Sequence, residues 1–153
     1  MVSAITSLLA TARSTPPSRA RRSGAACAGC VWAQLGGYLR QNVGSILDVG
    51  CGLGLMHPGL RRAFPGTDIH AFDASEYLCE KFGWQCSSIE GYDVGQSYDL
   101  VVCHDVLQYL DRSQALRALS NIEELARVAL FFSVLTREDW EQNCDQILTD
   151  GNT

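Results

Sequence analysis

The sequence predicts an α/β protein with a doubly wound, mostly parallel sheet of about five strands. Three observations lead to this fold class. Short apolar runs alternate with segments of helical periodicity, a glycine-rich turn follows the first run, and 153 residues with 46% hydrophobic content give room for one domain with a core. In such folds the ligand crevice lies at the carboxyl ends of the strands, so functional residues are expected directly after strands.

The chain divides into a leader and a domain. Residues 1–28 are rich in serine and arginine and contain no acid, which predicts a disordered leader. An organellar transit peptide has the same composition and is the alternative. Residues 29–153 are predicted to form the domain. No apolar run approaches the roughly 18 residues that a membrane-spanning helix needs, so no membrane insertion is expected.

The first half of the domain is predicted to contain three strands, with helices before and between them. Pro58 and the pair Pro65-Gly66 bracket the second helix in the usual order, and Ser75 can cap the third. The helices are predicted over residues 31–41, 60–64 and 75–82, and the strands over residues 46–49, 68–72 and 84–88.

The second half is predicted to contain strands over residues 98–103 and 130–135. Asp111 with Gln114 three residues later is a capping box for the helix between them. A second capping box at residues 136–139 predicts a last helix that ends near residue 148. The helix after Asp111 is predicted to run through Val128 on an apolar stripe that consists of Leu116, Leu119, Ile122 and Leu125.

Charge and cysteine content exclude several classes of protein. Residues 1–47 hold five arginines and no acid, whereas the remainder holds 7 basic and 17 acidic residues. An acidic body argues against an extended nucleic-acid surface. Seven scattered cysteines predict reduced thiols and a cytoplasmic location rather than a disulfide framework. Cys27 and Cys30 form a lone CxxC without a second pair, so no metal site is expected.

The glycine-rich turn is the strongest functional signal. Gly50, Gly52 and Gly54 alternate after the first strand, and Asp48 precedes them by two positions. Glycine lets the backbone turn tightly and lets a ligand approach closely. A dinucleotide fingerprint, G-x-G-x-x-G, fails at its sixth position. A phosphate loop needs Gly-Lys-Ser/Thr and fails because the lysine of this domain is Lys81, far from the glycines.

The stretch "ILDVGCGLG", residues 46–54, resembles motif I of the class I S-adenosylmethionine-dependent methyltransferases, which are Rossmann-like. The resemblance covers about residues 35–150. It implies that the glycine turn, including Cys51, passes the methionine part of S-adenosylmethionine. It further implies that Asp48 binds the ammonium group directly or through water. Asp73, at the end of the second strand, would accept both ribose hydroxyls, which suits the two oxygens of a carboxylate.

The resemblance also implies an adenine site after the third strand. The family usually has an acid or polar residue there, followed by a small apolar one. This chain has no acid at that place, so Ser88 and Ile89 are the candidates, with Ala74 as a second adenine contact.

The block "YDLVVCHDVLQYL" is similar to the segment around the fourth strand of these enzymes. His104 and Asp105 would leave that strand beside the sulfonium. Methyl transfer requires alignment above all, and a base only when the acceptor must lose a proton. His104 and Asp105 are the catalytic candidates, and a polar role for His104 is an equal alternative. His57 is interpreted as a residue that begins a helix rather than as a catalyst.

The sequence departs from the family at its carboxyl terminus. The family sheet has seven strands, but only 19 residues follow Val134, so the last β-hairpin is expected to be missing. The first hypothesis is a methyltransferase that acts on a small-molecule acceptor. The alternative is a truncated, inactive remnant that binds cofactor or pairs through its fifth strand. The glycine spacing disfavours a nicotinamide-dependent oxidoreductase.

Overall fold

A computed structural model describes residues 35–39, 43–93 and 95–134 of the chain. The predicted leader, residues 1–28, lies outside these ranges. The predicted last helix and the expected absence of a C-terminal hairpin also fall on residues outside them.

Five parallel strands form one sheet in the order β3-β2-β1-β4-β5. The order reverses between β1 and β4, which is where ligands bind in open α/β sheets. The predicted fold class is confirmed for the described residues. The strands are β1 (Ser45–Val49), β2 (Asp68–Asp73), β3 (Gln85–Cys86), β4 (Tyr98–His104) and β5 (Ala126–Ser133).

Local sequence signals explain where the helices begin and end. Pro58 lies in the first turn of α1. The Ser75 hydroxyl accepts the Leu78 amide at the start of α2, and Asp111 and Gln114 form the reciprocal capping box of α3. Both predicted caps are therefore confirmed. The helices are α1 (His57–Ala63), α2 (Glu76–Phe82) and α3 (Arg112–Leu125), and residues 35–39 are also helical.

The predicted boundary between the last described helix and strand is wrong. The helix ends at Leu125, and β5 begins at Ala126 with no loop between them. The apolar residues from Val128 onward are compatible with both helical and strand periodicity. They form a strand because they pair with β4, with Leu100 opposite Ala129. Strand β3 is also shorter than predicted, and α1 begins three residues earlier.

The sheet has a hydrophobic core on each face, as a doubly wound fold requires. Strand alternation sends Leu47 and Val49 of β1 to one face, where α3 packs, and Ile46 to the other, where α1 packs. Asp48 follows Ile46 by two residues and therefore shares the α1 face. In the three described ranges, no helix is long and apolar enough to cross a membrane.

Candidate functional site

A cavity of about 480 Å³ opens at the carboxyl ends of β1, β2 and β4. The topology brings to it residues that are far apart in sequence, because parallel strands end at the same edge. The sequence-predicted residues that line it are Gly50, Gly52, Asp73, Ala74, Ser88, Ile89 and Asp105. Asp48, Cys51, Gly54 and His104 lie outside the lining, and their roles stay predictions.

The glycine turn has a backbone that other residues would strain. Gly50, Gly52 and Gly54 have φ of +63°, +53° and +70°. A Cβ on Gly50 would lie 2.6 Å from Val106 Cγ2, and one on Gly54 would lie 3.0 Å from the Trp84 ring. The Trp84 indole also donates to the Gly52 carbonyl over 3.0 Å. The turn is thus packed between the β4 loop and Trp84, whereas a Cβ added to Gly52 would meet nothing within 4 Å.

Asp73 is fixed on the cavity wall by two backbone amides. Gly52 N donates to Oδ2 and Ser75 N donates to Oδ1, each over 2.8 Å. An ionised carboxylate has about four acceptor positions, so each oxygen keeps one free. The geometry leaves the Asp73 carboxylate oriented and able to accept two further hydrogen bonds.

Asp48 is buried beneath the glycine turn, with 2% of its surface exposed. Its Oδ2 lies 3.0 Å from His57 Nε2. In the described part of the chain neither atom has a partner that meets hydrogen-bond geometry, so the two atoms lie close together without an aligned hydrogen bond. A buried carboxylate oxygen in this state points to a missing donor.

The buried thiols of Cys51 and Cys103 lie near the site and are unreactive. Burial, followed by the charges of Asp48 and Asp73, raises the pKa of Cys51 to about 12. Burial, followed by Asp48 and Asp105, raises the pKa of Cys103 to about 12. Both thiols are therefore protonated near neutral pH and are poor nucleophiles. No group of three metal-ligating side chains is placed to hold a metal ion within the described ranges.

Asp105 is held in a strained conformation at the end of β4. Its φ of +55° lies in the left-handed region. Ser133 holds it there, since the Asp105 amide donates to the Ser133 carbonyl over 3.1 Å and the Ser133 hydroxyl donates to Asp105 Oδ1 over 2.9 Å. His104 Nδ1 lies 3.3 Å from Asp105 Oδ2. The strain is thus maintained by β5, and Asp105 lines the cavity in this conformation.

Sequence reasoning missed half of the cavity wall. Glu90 is the most informative of these residues, because it places an acid beside Ile89, where none was expected. Its Oε1 lies 3.7 Å from Arg117 Nη2, and its side chain is 19% exposed. Its position one residue after a predicted contact was the available signal. The other missed residues are Phe72, Leu78, Ser87, Val106, Tyr109 and Leu110.

Residues 47–128 match a family described as "Methyltransferase domain". The match covers more than half of the chain. This protein belongs to that methyltransferase family. A curated relative, the malonyl-acyl-carrier-protein O-methyltransferase of Anoxybacillus flavithermus, is 29% identical over an alignment of 75 residues that covers 43% of this chain and 29% of that protein.

Solved methyltransferase structures share the fold. The plantazolicin methyltransferase in complex with SAH superposes with a TM-score of 0.67 at 19% identity, covering 78% of this chain and 51% of that one. The magnesium protoporphyrin IX methyltransferase from Synechocystis PCC 6803 with bound SAM gives a TM-score of 0.63 at 22% identity, covering 75% and 60%. The methyltransferase chain described here therefore spans about half the length of these structures and less than a third of the curated relative.

Proposed function

We propose that this methyltransferase-family chain binds S-adenosylmethionine in the carboxyl-end cavity and transfers its methyl group to a small-molecule acceptor. One observation carries the proposal. The Asp73 carboxylate is held on a cavity wall, with free acceptor positions, beside a glycine turn in which nothing lies within 4 Å of the position that a Cβ on Gly52 would take. Vicinal ribose hydroxyls are two donors that fit such a carboxylate.

The remaining residues fit the other parts of this cofactor. Ala74, Ser88 and Ile89 line the cavity and would contact adenine. Glu90 adds an acceptor for an exocyclic amino group there. Asp48 is a buried carboxylate at the start of the glycine turn, and its negative charge suits the ammonium group, directly or through a bridging water.

When bound, the cofactor supplies a methyl group activated on a sulfonium. The chain contributes binding and orientation, which is the main requirement of an in-line displacement. Asp105 lines the cavity and His104 supports it from 3.3 Å, so this pair would accept a proton from an acceptor that must lose one.

Composition supports the finer parts of the proposal. The acidic body fits a small-molecule acceptor better than an extended nucleic acid. The odd set of seven cysteines supports a cytoplasmic location, with residues 1–28 as a leader to a domain at residues 29–153.

A second candidate function is cofactor binding without turnover. Strand β5 pairs with β4 alone within the described ranges, and it leaves Val128 and Phe132 partly exposed, at 38% and 39%. An open strand edge of this kind can pair with another chain. Under this alternative, the chain binds the cofactor and associates through β5.

The test is calorimetric titration of the full chain with S-adenosylmethionine and S-adenosylhomocysteine, with NADH as the control ligand. Saturable binding of the first two alone is expected. Asp73→Ala should weaken both by at least about tenfold, because charge-assisted hydrogen bonds contribute roughly 1.5–3 kcal/mol. Asp68→Ala, at the other end of the same strand, is the matched control and should leave affinity unchanged.

Two results would contradict the proposal. Failure of the folded chain to bind either sulfur ligand removes the cofactor assignment. Equal affinities in the wild type and Asp73→Ala remove the ribose contact while leaving the cavity as the site. Once binding is established, turnover in an acceptor screen separates the enzyme from the silent binding domain.

A further inference from the structure

We propose that His57 is a positioning residue that holds the Asp48 carboxylate for the amino-acid end of the ligand. The inference rests on the proposed function, and it assigns to His57 a role beyond beginning a helix. The imidazole and the carboxylate form a buried pair beneath the glycine turn, with Nε2 and Oδ2 3.0 Å apart.

The fold brings the two residues together from different elements. Asp48 lies one residue before the end of β1, on the face that α1 covers. His57 is the first residue of α1, and its amide donates to the Gly54 carbonyl over 3.1 Å. The glycine turn therefore runs from one member of the pair to the other, so the spacing of the pair and the shape of the turn depend on each other.

The Asp48 carboxylate has a single basic neighbour among the described residues. In the described ranges, His57 is the one basic group within 4.0 Å of Asp48. Cys51 and Cys103 lie near enough to feel its charge, but both are protonated thiols near neutral pH. Burial of an unpaired carboxylate is costly, so its orientation is governed by this single imidazole.

The packing around His57 restricts how the ring can turn. The Trp84 ring meets it edge-on, with ring centroids 5.1 Å apart. Trp84 is itself tied to the Gly52 carbonyl. The His57 side chain is 11% exposed, so water replaces its contact with Asp48 only poorly. A buried imidazole so enclosed is suited to hold a partner in one orientation.

The pair is consequently expected to discriminate between ligands by their charged end. S-adenosylhomocysteine carries an α-ammonium group, whereas 5′-methylthioadenosine shares the nucleoside and the sulfur but lacks the amino acid. If His57 orients Asp48 for the ammonium group, loss of the imidazole lowers the affinity for S-adenosylhomocysteine and leaves the affinity for 5′-methylthioadenosine unchanged. If His57 only supported the fold, its loss would lower the affinities for both ligands equally, because both ligands contact the glycine turn.

The experiment measures the affinities of the full chain for these two ligands by calorimetry. His57→Leu removes the donor at similar volume, and His57→Gln keeps an amide N–H at the Nε2 position. His70→Leu makes the same change on β2, where His70 is exposed and its ring lies tilted against that of Tyr98, with ring centroids 5.3 Å apart. We expect His57→Leu to weaken S-adenosylhomocysteine by about tenfold or more, which is the loss of one charge-assisted contact.

The controls define what overturns the inference. His57→Gln should retain most of the S-adenosylhomocysteine affinity, and His70→Leu should leave both ligands unchanged. An equal loss for both ligands in His57→Leu, or no loss for either, overturns the positioning role but leaves the proposed cofactor site standing. Failure of the wild type to bind S-adenosylhomocysteine overturns the proposed function and the inference together.

If His57→Leu does not fold, a measurement on the wild type tests the inference instead. The imidazole nitrogen resonances of His57, assigned by comparison with His57→Gln, should shift on adding S-adenosylhomocysteine and not on adding 5′-methylthioadenosine. Identical responses to the two ligands would overturn the inference.

Discussion

The backbone conformation of Gly50 and the space around it each disfavour a side chain, and their effects on the free energy of unfolding can be measured separately. Its φ of +63° disfavours any side chain, and its missing Cβ makes room for Val106. The contact joins the β1 turn to the loop after β4, so Gly50 sets the distance between two walls of the cavity.

Gly50→Ala is expected to lower the free energy of unfolding by about 2–5 kcal/mol, from left-handed strain of about 1–2 kcal/mol plus overpacking of about 1–3 kcal/mol. Gly66→Ala is the matched control, because its φ is +82° but nothing lies within 4 Å of its added Cβ. It should lose only the strain contribution. Urea denaturation measures both. If Val106 stays in place, adding Val106→Ala to Gly50→Ala should recover part of the lost free energy of unfolding. Equal losses in Gly50→Ala and Gly66→Ala would instead show that Val106 moves aside.

At the scale of elements, Asp99 joins the amino-terminal ends of three strands. Its carboxylate accepts the amides of Gly44 and Ser45 over 2.8 and 3.0 Å and Arg127 Nε over 2.9 Å. These contacts tie β1 and β5 to β4. Burial opposes ionisation, but the Gly44 hydrogen bond and the Arg127 guanidinium outweigh it and hold the pKa of Asp99 below its usual 3.8.

Asp99→Asn should lower the free energy of unfolding by about 2 kcal/mol at neutral pH. Because the folded pKa lies below the unfolded one, this stabilisation is complete above the ordinary value of 3.8 and disappears as the pH falls through the folded value. The difference between variant and wild type should therefore shrink in acid. Asp68→Asn, an exposed acid that begins β2, is the control. A difference that does not depend on pH would remove the electrostatic explanation.

Helix α3 shows which part of an apolar stripe reaches the core. Ala118, Ile122 and Leu125 are buried at spacings of four and three residues, whereas Leu116 is 61% exposed. The predicted stripe was thus wrong at Leu116, which lies about 120° around the helix from Ile122. Sequence periodicity identified the helix, but contact with the sheet selected its buried face.

Ile122→Ala should lower the free energy of unfolding by about 2–5 kcal/mol, because the side chain is fully buried and a cavity would remain. Leu116→Ala, on the same helix, should change it by no more than about 0.5 kcal/mol. Thermal and urea unfolding of the two variants test the assignment. Similar losses at both positions would mean that Leu116 is covered in solution.

At the scale of the molecule, the cavity exists only because three strands end together. Gly50, Asp73 and Asp105 follow or end β1, β2 and β4, which are neighbours in the sheet. A ligand that contacts all three should stabilise the whole sheet. A ligand that binds only the folded state at 100 times its dissociation constant adds about 2.7 kcal/mol to the free energy of unfolding.

S-adenosylhomocysteine should therefore raise the melting temperature of the full chain, whereas NADH at the same concentration should leave it unchanged. Asp73→Ala should reduce the shift, since the ribose contact is lost. Differential scanning calorimetry measures these shifts. Equal stabilisation by NADH would contradict the assignment, because the glycine spacing lacks the dinucleotide pattern.

The sequence by itself determined the fold class and the family, and it singled out half of the residues that line the cavity. These follow from local signals: alternating apolar runs, glycines at fixed spacing, and an acid directly after a strand. The caps at Ser75 and Asp111 are local as well, which is why both were predicted correctly. Such signals depend on a few consecutive residues and are legible without knowing what packs against them.

The tertiary structure alone decided which distant residues meet. It ended α3 at Leu125, because the following residues gain more from pairing with β4 than from another helical turn. It placed Glu90 and Tyr109 on the cavity wall, and it brought His57 to Asp48. These outcomes depend on sheet order and on which face of each helix is covered. Sheet order and helix coverage depend on packing between residues that are distant in sequence, so no short stretch of sequence predicts them.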